Sequence, residues 1–78
     1  MRIRDPELAI LALEIRIKNW PKEAADGWLK LGKIYEAPEA WNESKALQSY
    51  RAALEAAPPS SKNAVLTMIP PLYHGRLQ

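Results

Sequence analysis

Seven prolines, at positions 6, 21, 38, 58, 59, 70 and 71, punctuate this 78-residue chain. A proline inside an α-helix removes a backbone hydrogen bond and collides with the preceding turn, at a cost of ~3 kcal/mol or more, whereas at the first helical position its fixed φ fits. The chain is thereby cut into helix-length pieces. What each piece becomes depends on the spacing of its apolar residues.

Asp5 and Pro6 open the first piece, Asp5 as an acceptor for free N–H groups of a first turn and Pro6 at the first helical position. The spacing predicts a helix over 6–19. Ala9, Ile10, Leu13, Ile17 and Trp20 share one side, and Leu8, Leu11, Ala12 and Ile15 form a second stripe roughly 150° away. Only an edge with Glu7, Glu14 and Lys18 is plainly for water. Pro21 ends this helix. A second begins near Glu23 and closes before Pro38, with Ala24 or Ala25, Trp28, Leu31, Gly32 and Tyr35 at helical spacing. A connector, 37–42, holds a single turn at 38–41, and Asn42 caps a third helix that runs to Ala57. There Ala46, Leu47, Tyr50, Ala53, Leu54 and Ala57 face inward and Glu43, Lys45, Gln48, Arg51 and Glu55 outward. Pro58 and Pro59 stop it. In the remainder, 60–78, the Ser60–Ser61 pair caps a short helix through Met68, and a last turn spans Leu72 to Leu77. Val65, Leu66, Ile69, Leu72 and Tyr73 read as a lid over the end of the bundle. With no strand pattern, the expectation is one all-α domain, 1–78, of three main helices and a short C-terminal helical cap.

A chain of this length buries only ~60% of the surface its unfolded form exposes, so its stability is small. The apolar share comes mainly from Ala, Leu and Ile, which suits helices, and the absence of cysteine removes both disulfides and thiolate metal sites. The net charge of +2 is spread along the chain and is no nucleic-acid signature. The longest apolar run, Leu8 to Leu13, is far short of the ~20 residues that cross a bilayer. Arg2 and Arg4 ahead of that run suggest a signal peptide, but Asp5, Glu7 and Glu14 interrupt and close it. The expectation is a cytoplasmic protein without a membrane anchor.

Trp28-x-x-Leu31-Gly32-x-x-Tyr35, followed by Ala46, Tyr50, Ala53 and Pro58, resembles the tetratricopeptide repeat, whose signature is W-x2-L-G-x2-Y and then A, F and P. The physical sense stands without the family. Gly32 lets two helices approach, Ala46 and Ala53 are small residues received opposite it, and Trp28, Tyr35 and Tyr50 fill the space between. There are departures. The step from Tyr35 to Ala46 is two residues longer than the pattern, an insertion that falls in the connector, and the step from Pro21 to Trp28 is one residue long. Upstream, Ala9, Ile10, Leu13, Ile17 and Pro21 sit where the second helix of a preceding repeat has its packed residues, with Arg16 at a position that is usually small. The resemblance covers about Leu8 to Pro58. It implies an antiparallel helix stack with a half repeat over 6–19, one full repeat over about 23–58 and a divergent cap. A helix-turn-helix fits poorly, because Trp28 is bulky where close crossing wants a small residue and Pro38 falls within the recognition helix.

The resemblance also implies a task, holding another protein or peptide on the concave face of first helices. That points to Asp26, Leu29, Lys30, Lys33 and Glu36, although the Lys and Asn set with which some members clamp a terminal carboxylate is incomplete, and the plain alternative is a solvated helix face. The residues themselves offer a second surface. In a full array another helix would cover Leu8, Leu11, Ala12 and Ile15, and the sequence begins too late to provide it. The cover is the C-terminal segment, a second copy of the chain, or a different protein, since contiguous apolar surface of a few hundred Å² marks interaction sites. The Met1 start with so few repeats favours a stand-alone adaptor or inhibitor over a trimmed array.

Nothing points to catalysis, a metal or a cofactor. His74, the only histidine, stands beside Gly75 with no second ligand at metal spacing and reads as exposed and inert. Glu36, Glu39 and Glu43 are spread through a connector rather than fixed as an acid–base pair. No phosphate loop or nucleophile elbow is present. Lys18, Lys22, Lys30 and Lys33 cluster with Trp20, a minor case for nucleic acid, but Glu23 and Asp26 sit among them. A structural homo-oligomeric bundle is the remaining alternative.

Overall fold

The computed structural model describes residues 6–77. Five α-helices follow one another: α1 (Pro6–Asn19), α2 (Ala24–Glu36), α3 (Glu43–Ala56), α4 (Lys62–Met68) and α5 (Pro71–His74). Short 3-10 turns at Pro21–Glu23, Pro38–Ala40 and Pro59–Ser61 join the first four, each opened by a proline. There is no strand among the described residues, and the fold is all-α. The expected Asp5 cap, with Arg2 and Arg4, lies outside the described residues.

The proline reading places the ends of the three long helices to within a residue. The Asn42 side chain accepts the Lys45 N–H at 3.1 Å, occupying a first-turn donor that the helix itself leaves unpaired. At the other end Ala57 turns extended (φ −74°, ψ 140°), so α3 stops at Ala56. The Ser60–Ser61 cap is not formed: both serines fall in a 3-10 turn, and no side chain caps α4.

The core belongs to the α2–α3 hairpin. Ala46, Tyr50 and Ala53 are each 0% exposed. The Tyr50 ring lies against Gly32, where an added Cβ would come within 2.5 Å of Tyr50 Cε1. The nearest neighbour of Gly32 is therefore an aromatic ring rather than the small alanines. Trp28 and Tyr35 flank this contact, half-buried. The C-terminal segment closes one side: Val65, Ile69 and Tyr73 join the core with Leu29, and the Tyr50 and Tyr73 rings meet at 5.2 Å, tilted by 51°. Of the expected lid residues, Leu72 is outside the core, with 63% of its surface open to water.

His74 is half-buried rather than loose in a tail. Its Nε2 faces two carbonyl oxygens, Leu66 O at 3.0 Å and Ile69 O at 2.8 Å, so that nitrogen carries the proton and donates. The ring thus ties α5 to the C-terminal end of α4, where the Leu66 carbonyl also accepts the Ile69 N–H at 3.1 Å. Arg76 extends the tie by a salt bridge to Glu43 at 3.2 Å, and Arg51 donates to the Arg76 carbonyl at 2.9 Å.

On the opposite side, α1 is applied to α2 by a narrow contact. Ile10, Leu13 and Ile17 are half-buried and no residue of α1 is fully buried. Ile17 sits over Gly27, where a Cβ would lie 2.6 Å from Ile17 Cγ1. The Cα envelope measures 41 × 28 × 16 Å, about two helix layers in its thin direction, which leaves every helix with an outward side.

Candidate interaction surface

The second stripe of α1 is open. Leu8 is 57%, Leu11 52% and Ile15 49% exposed, and Ala12 is exposed between them. The C-terminal segment does not cover it; that segment packs against α2 and α3. Trp20 joins the stripe from an unexpected direction. The helical progression would place it beside Ile17 on the packed side, but the helix ends at Asn19 and Trp20 takes φ −129°, ψ 74°. Its indole, 55% exposed, becomes one wall of an open concavity of about 360 Å³ formed with Ala12, Ile15, Arg16 and Glu23. Periodicity cannot report a side chain that follows the break, which is why sequence reasoning put Trp20 in the core.

Arg16 and Glu23 rim this concavity. Their salt bridge spans 2.7 Å, and the carboxylate, by hydrogen bond and by charge, pushes the Arg16 guanidinium above its already high range. The same pair borders a larger cleft of about 520 Å³ on its other side, where Ala25, Leu29, Val65 and Met68 supply apolar walls and Lys22, Asp26 and Ser61 line the edge.

The groove residues inferred from the repeat resemblance divide. Asp26 and Leu29 line the larger cleft, but Leu29 is only 4% exposed and is a core residue, not a free contact. The reason is the C-terminal segment, whose Val65 and Ile69 pack in the same apolar cluster. Lys30 is exposed and paired with Asp26 at 3.1 Å, and Lys33 is exposed without lining the cleft. Glu36 is half-buried and lies toward Tyr50 and Tyr73, so it is not an open groove residue either. Burial first, and then the Glu36 charge, raise both phenols above their ordinary range. Neither hydroxyl has a partner with hydrogen-bond geometry among the described residues.

A further concavity of about 240 Å³, lined by Glu14, Trp28, Leu31, Tyr35, Lys45, Gln48 and Ser49, marks the opposite side of α2. Lys45 holds its ammonium 5.8 Å from the Tyr35 ring centroid there. Trp41, Met68 and Leu72 are exposed apolar residues that sequence reasoning did not single out as surface contacts. Among the described residues, no group of three or more acidic or histidine side chains is placed to hold a metal ion. No helix among them is long and apolar enough to cross a membrane.

Comparison with protein families, curated proteins and solved structures finds no match for this chain.

Proposed function

We propose that this chain is a non-catalytic protein–protein interaction module of the adaptor, chaperone-like or small-inhibitor kind, in which α2 and α3 are scaffold and the outward face of α1 is the binding surface. The observation that carries this reading is the open stripe of Leu8, Leu11 and Ile15, continued by Trp20, on a helix that buries no residue of its own. Covering a large apolar side chain completely is worth ~1.5–3 kcal/mol, and about half of that is still to be gained at each of these residues. The tetratricopeptide-type arrangement is part of the proposal. It is supported by the Gly32–Tyr50 contact, by the burial of Ala46 and Ala53, and by α4 lying against both α2 and α3 as the first helix of a next repeat would.

A photo-reactive amino acid placed at Leu11 and, separately, at Glu55 on the exposed side of α3 tests the assignment in cells. Discrete covalent adducts at Leu11 and none at Glu55 are expected. Equal labelling at both sites, or none at Leu11, contradicts it.

A further inference from the structure

The α1 face has a property that a generic sticky stripe lacks: it carries both halves of a fit. Leu8, at its N-terminal end, is an open leucine, 57% exposed. At its C-terminal end Ala12, Ile15, Arg16, Trp20 and Glu23 line the open 360 Å³ concavity, room for a leucine side chain. Knob and hole lie on either side of a midpoint between Leu11 and Ala12. Reversing the helix about that midpoint brings the Leu8 of one copy opposite Ile15 of another, beside Trp20, and does the same again on the other side of the axis.

We propose that the occupant of this face is a second copy of the chain, docked antiparallel through α1 about a two-fold axis between Leu11 and Ala12. This rests on the reading of the α1 stripe as an interface. Two-fold contacts use the same patch on both partners and therefore require such self-complementarity. The Leu8 knob enters a hole whose walls come from α1 and from Trp20 and Glu23 after it, a variant of the packing by which paired helices interlock.

The area is sufficient. With exposures of 57%, 52%, 49% and 55% at Leu8, Leu11, Ile15 and Trp20, and Ala12 between them, complete cover on two copies withdraws at most roughly 900–1,000 Å² of apolar surface. Homodimer interfaces are about 65% apolar, so the whole contact reaches up to about 1,400–1,500 Å² on complete cover, a size within the standard 1,200–2,000 Å².

The charges permit it. The stripe of Leu8, Leu11, Ala12 and Ile15 holds no ionisable group. Arg16, the one cation at the hole, already has its counter-ion in Glu23 at 2.7 Å, so seating a leucine there buries no unpaired cation. Opposed helix directions also set the two macrodipoles against one another, the favourable sense.

The native chain has no cysteine, which makes a geometric test direct. Ala12→Cys places a thiol next to the axis, and Glu55→Cys places one on the solvent side of α3. On mild oxidation of the purified full chain, Ala12→Cys is expected to form a disulfide-linked dimer rapidly and Glu55→Cys about tenfold more slowly or not at all. Sedimentation of the cysteine-free chain from micromolar to millimolar concentration is expected to show reversible dimers, lost in Leu11→Glu with unchanged helicity and kept in Leu72→Glu. A monomer throughout, or a dimer that survives Leu11→Glu, overturns the proposal. A monomeric chain whose Leu11 photo-adducts contain a different protein overturns the dimer but leaves the interface reading intact, whereas no adduct and no dimer removes both.

Discussion

Gly32→Ala is the perturbation that most sharply tests the packing of the scaffold. In an exposed helix the change gains about 1 kcal/mol, because glycine loses more backbone freedom than alanine on folding. Here the new Cβ would sit 2.5 Å from Tyr50 Cε1, 2.6 Å from Cζ and 2.8 Å from Cδ1. Those are atoms of a rigid ring that is 0% exposed and wedged against Tyr73 at 5.2 Å, so nothing yields without moving α3 or the C-terminal segment. Overpacking costs ~1–3 kcal/mol, and the upper part of that range, about 2–3 kcal/mol, applies where the ring has no free direction. The net expectation is a loss of about 1–2 kcal/mol, which for a domain of this size lowers Tm by roughly 5–15 °C. Thermal unfolding followed by far-UV circular dichroism reads it. Gly75→Ala is the internal control: its Cβ would meet nothing within 4 Å and its φ is −70°, so Tm should rise slightly. Combining Gly32→Ala with Tyr50→Leu should recover part of the glycine loss, a coupling of about 1 kcal/mol. A Gly32→Ala protein as stable as the parent, or a double variant with strictly additive losses, would refute the close approach of α2 and α3.

The remaining predictions concern the ends of elements and the buried phenols. Asn42→Ala removes the acceptor for the Lys45 N–H and should lower stability by ~1 kcal/mol in urea unfolding, with Asn42→Ser restoring most of it; equal stability of all three would deny the cap. Tyr50 and Tyr73 have pKa values raised above the ordinary 10.0, by burial and by Glu36. The folded state therefore keeps phenolic protons that the unfolded state releases, so stability holds below pH ~10 and falls as pH rises beyond it. Urea midpoints measured across that range should drop. The drop should be smaller in a Tyr50→Phe, Tyr73→Phe double variant, and an identical slope in both proteins would exclude the phenols as its source.

The sequence carried the local structure well because its signals are local. Pro21, Pro38, Pro58 and Asn42 act on their own and adjacent residues, and the three long helices end where they direct. Gly32 opposite Tyr50 was legible as a close approach, though with the wrong partner, because helical spacing tells which residues face one another and not which one enters the gap. The approach of Ile17 to Gly27 went unread, since a glycine one residue before Trp28 carries no pattern of its own. The C-terminal segment was the least legible. Its two short helices have few residues to define a face, and their direction is set by contacts distant in sequence, Leu29 with Val65 and Ile69, Tyr50 with Tyr73, Glu43 with Arg76. That one placement closes off Leu29 and Glu36 and leaves Leu8, Leu11 and Ile15 open, so it separated a candidate site that residue spacing alone could not.

The division between scaffold and binding face is tested most directly by the unfolding free energy of Leu11→Glu, measured in urea at low micromolar concentration where association contributes least. If Leu11 belongs to an outward face, the substitution changes the stability of the single chain by no more than ~0.5 kcal/mol while it removes association, as a surface change does. A loss of more than about 2 kcal/mol, the scale of a disrupted core position, would place the stripe inside the fold and contradict the account.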